Sequence, residues 1–105
     1  MAEYLITEPP QRCPTHPGEL LREIIEERIG LSISETARRI GISRQTLHAI
    51  LAGTAPLTPE SALRLSKLVG VKPGLWLNMQ QAYDLWTASR RLADEIDKIE
   101  TVAAA

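Results

Sequence analysis

From Leu20 onward, apolar residues recur three or four positions apart in successive blocks set off by glycine or proline, the spacing of amphipathic helices. The expected fold class is therefore all-α. Thr15 or His16 can cap the first block, with Pro17 in its first turn and Leu20, Leu21, Ile24, Ile25 and Ile29 as the apolar stripe. The stretch 32–53, SISETARRIGISRQTLHAILAG, organises the rest, because it reads as two short helices joined by one tight turn. Ser32 caps the first of these, Glu35 closes a capping box, and Ile33, Ala37 and Ile40 form its core face. Gly41 stands where the chain must turn through a left-handed conformation. Ser43 restarts a helix whose inward residues are Leu47, Ile50 and Leu51, and Gly53 ends it. Thr58 and Pro59 then open a helix carrying Leu63, Leu65 and Leu68, stopped by Gly70.

Helices joined by so short a turn cross steeply, so the residue nearest the crossing must be small, and Ala37 is. A small residue, a glycine four positions on and two apolar positions in the next helix form the pattern of a DNA-binding helix-turn-helix. An ordinary antiparallel helix pair is the competing reading. The outward face of the second helix separates the two: at about 100° per residue, Gln45, Ala49 and Ala52 point away from the core, with Thr46 and His48 on the flanks. Two alanines leave a backbone that can sit deep in a major groove. There Gln45 can pair with adenine, Arg44 with guanine or a phosphate, and the Ala49 methyl can meet a thymine methyl. Ser43 can offer its hydroxyl and nearby amides to a phosphate. The loop entering the capped helix at Thr58 is either a further phosphate contact or a simple connection.

The last apolar block predicts a helix over 73–101, about 40 Å long at about 1.5 Å per residue. Trp76, Met79, Tyr83 and Trp86 place most of the aromatic surface in its first half, where it roofs the core. Beyond them, Ala82, Leu85, Ser89, Leu92, Ile96, Ile99 and Ala103 alternate three and four apart. That seam implies a partner helix, with Leu85, Leu92, Ile96 and Ile99 as homodimer contacts; an amphipathic tail lying on its own domain is the alternative. The organisation expected is an N-terminal arm over 1–15, a helix-turn-helix domain over 16–86 and a C-terminal extension over 87–105. Tyr4, Leu5 and Ile6 in the arm are a candidate short strand or partner-binding segment.

The net charge of −1 argues against a nucleic-acid binder until its distribution is read. Residues 1–35 sum to −4, residues 36–72 to +5 and residues 73–105 to −2. The positive third coincides with the helix-turn-helix and the helix after it, through Arg38, Arg39, Arg44, Arg64, Lys67 and Lys72 against Glu60. Arg38 and Arg39 are read as suppliers of charge toward DNA, and Arg22 as the one residue of the first helix able to reach the backbone. The rest of that helix is acidic, through Glu19, Glu23, Glu26 and Glu27, a face that would turn away from DNA or toward a basic protein.

At 105 residues and 44% hydrophobic composition, the chain can bury a modest core without disulfide or metal. The lone Cys13, the lack of any apolar run of membrane-spanning length and a start unlike a signal peptide point to the cytoplasm. The sequence holds no HExxH, CxxC, nucleophile elbow or phosphate-binding glycine loop, so neither enzyme nor metal nor cofactor is expected. His16 reads as a helix-start residue and His48 as either a DNA contact or a solvated flank.

The blocks HPGE, SRQTL, LTPE and WLNMQ-AYDLW, spread over residues 16–86, together make the chain resemble HigA-type antitoxins, a branch of the XRE (lambda-repressor-like) helix-turn-helix proteins. The resemblance implies a five-helix domain, a homodimer on a palindromic double-stranded operator, and neutralisation of a HigB-like toxin that cuts mRNA on the ribosome. Ile33 stands where the family usually has Gln, the position of a common backbone contact. A stand-alone phage-like repressor without a toxin partner is the alternative.

Overall fold

The computed structural model describes residues 12–103, all helix and connection with no strand among them. The arm expected over 1–15 lies mostly outside the described residues, and with it the segment Tyr4, Leu5 and Ile6. Helix α1 spans Pro17–Glu23 and continues as a π-helical segment, Ile24–Ile29. The others are α2 (Ile33–Ile40), α3 (Arg44–Leu51), α4 (Pro59–Val69), α5 (Pro73–Arg91) and a short α6 (Ala93–Asp97).

Each early helix starts on a side-chain cap. His16 Nδ1 accepts from the Gly18 amide at 3.0 Å, and Ser32, Ser43 and Thr58 accept from the amides of Glu35, Thr46 and Ser61. The capping box expected at Ser32 is only half made, because the Glu35 carboxylate turns to Arg38 and Arg39 instead. Helix α1 packs against α3 and α5, α2 against α3 and α4, and α4 against α5, so the five close in a ring around one core. Their shared interior is Leu21, Ile25, Ala37, Leu47, Ile50, Leu51, Leu57, Ala62, Leu65 and Trp76, with Ile40 at its edge. Ile29, expected in the stripe, is 40% exposed at the end of its helix.

The final helix differs most from expectation. At Leu92 the backbone leaves the helical region (φ −104°, ψ 11°), so α5 ends at Arg91 and α6 at Asp97. The charges explain the break without proline or glycine: Arg90 and Arg91 favour a helix C-terminus, and Asp94 and Glu95 favour the N-terminus of the next. The continuous seam to Ile99 is thereby corrected. Leu85 sits on α5, Leu92 half-buried in the break, Ile96 on α6 and Ile99 beyond it.

His16 ties α1 to the rest of the core, stacking edge-on against Tyr83 with ring centroids 4.9 Å apart. Burial pushes its pKa below the ordinary value, opposed by the charge of Asp84, the Ala55 carbonyl and Glu19. Below about pH 6.5 the unfolded chain therefore takes up a proton that the folded chain resists, and stability falls with pH. The melting temperature should hold steady above pH 7 and drop as the pH is lowered from there. His16→Asn, which keeps a capping oxygen but cannot titrate, should flatten that drop; an equal fall in both proteins would remove His16 as its source.

Candidate nucleic-acid interface

Three long-range fastenings hold α3 in place. At its entry, Gly41 (φ 79°) ends α2, and Arg64 of α4 donates from Nη1 to the Ile40 carbonyl at 2.7 Å, satisfying an acceptor the helix end leaves over. Along its length, Gly18 of α1 approaches so closely that a Cβ there would lie 2.0 Å from the Ile50 carbonyl oxygen. At its exit, the buried side chain of Gln80 accepts from the Leu57 amide at 2.8 Å and donates to Asp84 at 2.9 Å. The orientation of α3 is thus set by α1 and α2, which pack against it, while α4 and α5 pin the chain on either side of it. Thr36, fully buried on α2 with its hydroxyl on the Ser32 carbonyl, completes the packing beneath the turn.

What α3 presents outward follows the helical period over its first turns and departs from it at Ala49. Ser43, Arg44, Gln45, Thr46 and His48 are all exposed on its first turns, while Leu47, Ile50 and Leu51 are buried. The Ser43 hydroxyl donates to Thr46 Oγ1 at 2.8 Å while accepting from the Thr46 amide, so the α3 N-terminus is ordered before anything binds it. Ala52 is exposed and Ala49 half-buried, because the Ala49 carbonyl accepts from the Thr54 and Ala55 amides that fold the following loop back over it.

The basic residues are less uniform than a count suggests. Arg38 and Arg39 both donate to the Glu35 carboxylate, Arg39 from Nε at 2.7 Å, and the two guanidiniums hold that carboxyl well below the usual carboxylate range. Arg64 is divided between Ile40 and Glu60. Arg22 pairs with Glu26 at 3.4 Å. Of the basic residues over 36–72, Arg44, Lys67 and Lys72 have no carboxylate partner among the described residues. Arg44 and Gln45 share the start of α3, whereas Arg38 and Arg39 lie at the end of α2 and Arg22 on α1. The acidic face of α1 is likewise part-neutralised, with Arg28 4.0 Å from Glu23.

Residues 21–76, which run from the core of α1 into α5, match the family described as helix-turn-helix. A second likeness is to antitoxin HigA-1 of Vibrio cholerae, 33% identical over 85 residues that cover 81% of this chain and 80% of that one. The chain belongs to the helix-turn-helix family that includes the HigA antitoxins. A further relative is the uncharacterised helix-turn-helix-type transcriptional regulator YbaQ of Escherichia coli K12, 37% identical over 94 residues, 88% of this chain and 83% of that one. Among solved structures, antitoxin GraA in complex with its operator superposes with a TM-score of 0.80 at 35% identity, covering 93% of this chain and all of that one. Such breadth places the HigA-like fold on nearly the whole described chain.

Nothing in the spacing of the sequence marks Gly18, Gln80 or Arg64 as supports of the site. Gly18 had a signal in retrospect, a glycine beside the proline of the first turn, where nothing local calls for one.

Proposed function

We propose that the protein is an antitoxin that binds its own operator as a homodimer and neutralises a HigB-like, mRNA-cleaving toxin encoded beside it. The observation that carries the reading is the face of α3. Arg44 and Gln45 stand exposed at a capped helix start, over small and short side chains that let the helix enter a major groove. Ser43 and Thr46 serve as phosphate contacts there, with exposed His48 facing the bases further along. The operator complex of its relative GraA supports this use of the fold.

Dimerisation is supported by apolar surface that the monomer leaves open. Leu85 is 64% exposed, Ile96 48% and Ile99 69%, on the second half of α5, on α6 and just past it. These side chains contribute little to the monomer's stability, so Leu85→Glu/Ile96→Glu should yield folded monomers. Both recognition helices are needed to span half-sites about 34 Å apart, so the variant should also lose operator affinity. A wild type that sediments as a monomer at tens of micromolar would contradict the dimer.

Toxin neutralisation is assigned to surfaces away from α3, namely the arm and the exposed glutamates of α1 and its π-helical continuation. An enzyme that grips ribosomal RNA carries basic surface, and Glu19, Glu23, Glu26 and Glu27 are all exposed. The pairing of Glu26 and Glu23 with arginines is the observation that favours the alternative, a repressor with no toxin. Co-expression with the product of the neighbouring reading frame decides between them. Wild type should rescue growth and co-purify, and Glu23→Lys/Glu27→Lys should do both less well while binding operator normally. If wild type neither rescues nor co-purifies, the chain is a repressor alone.

A further inference from the structure

We infer that Glu35 acts as an electrostatic restraint on DNA binding, holding Arg38 and Arg39 off the phosphates so that affinity rests on the sequence-reading residues of α3. The inference deepens the operator-binding reading and rests on it.

Its basis is one carboxylate shared between two cations. Arg38 engages Glu35 through both Nε and Nη2, and Arg39 through Nε, at the i+3 and i+4 spacings that bring side chains together on a helix. Glu35 lies opposite Ala37 and Ile40 around α2, so the trio sits on the outward side of that helix, with both arginines exposed and Glu35 half-buried between them. The arginine side chains are 71% and 51% exposed, yet their planar forks are already committed to an anion. A phosphate must displace Glu35 to take either one. The ridge thus presents a net charge of +1 where two arginines alone would present +2.

The consequence falls on specificity. Contacts to phosphate strengthen binding to every duplex and carry no sequence information, whereas base contacts act only on the operator. An antitoxin whose α2 ridge gripped phosphate freely would spread over random DNA. Arg64 has a different constraint: even without Glu60 it remains on the Ile40 carbonyl, so Glu60→Gln adds the same charge to the protein without releasing an arginine.

The test is the salt dependence of binding by the full chain to an operator duplex and to a random duplex. Each added phosphate contact steepens the slope of log affinity against log salt by about 0.9. Glu35→Gln should steepen it by about 0.9 to 1.8 on both duplexes, for one or two released arginines, so that the affinity gained on lowering salt from 200 to 50 mM grows about 3.5- to 12-fold. It should also lower the ratio of operator to random binding, while Glu60→Gln leaves the slope alone. An unchanged slope in Glu35→Gln, or an equal change in Glu60→Gln, overturns the restraint and leaves operator recognition standing. Absence of any operator preference in wild type overturns both. Should Glu35→Gln fail to fold, Arg38→Ala/Arg39→Ala gives the answer from the other side: restrained arginines cost little slope when removed, and a loss approaching 2 overturns the inference.

Discussion

Gly18→Ala is expected to cost about 3 kcal/mol or more, at or above the upper end of ordinary overpacking. The added Cβ would sit 2.0 Å from the Ile50 carbonyl oxygen and 3.0 Å from its carbon, and neither is a side chain that can swing aside. Relief requires α1 to lift from α3, which opens the interior around Leu21, Ile25, Leu47 and Ile50. Against a total stability of about 5–15 kcal/mol for a domain, the loss should appear as a large fall in the denaturant midpoint with the slope unchanged. Gly74→Ala is the control, because a Cβ at that position in the first turn of α5 meets nothing within 4 Å. It should be neutral or stabilising. If both variants unfold at the same denaturant concentration, α1 does not approach α3 this closely.

The contrast between these two glycines shows what could be read in the sequence. Caps and stops are local, so Ser32, Ser43 and Thr58 at helix starts and Gly41 and Gly70 after helix ends were legible from their neighbours alone. The inward and outward faces of α3 were legible for the same reason, since helical period needs no partner. The fastenings of α3 were not, because Gln80 reaches Leu57 across 23 positions and Arg64 reaches Ile40 across 24. Which helix faces which is decided by tertiary packing, about which spacing says nothing. The break at Leu92 had a signal in the change from Arg90 and Arg91 to Asp94 and Glu95, outweighed by an unbroken apolar period. The trio on α2 is invisible in regional net charge, because Glu35 closes the acidic first third and the arginines that hold it open the basic second.

Arg44 and Gln45 should account for most of the operator's discrimination. Arg44 opens α3 as a cation at the positive end of a helix, where it opposes the macrodipole and has no carboxylate partner among the described residues. Such a residue costs stability, so Arg44→Ala should leave the free protein slightly more stable while weakening its binding to DNA. That opposition separates a residue kept for binding from one kept for folding. Gln45 lies one position on, fully outward, with the planar amide that pairs with adenine. Since it carries no charge, its removal leaves phosphate contacts untouched. The most direct measurement is therefore the affinity of wild type and Gln45→Ala for the DNA preceding their own reading frame and for a random duplex, at one salt concentration. The expected result is a loss of about 1–3 kcal/mol on the operator and almost none on the random duplex; equal losses on both, or a wild type that does not distinguish them, would contradict α3 as the reading head.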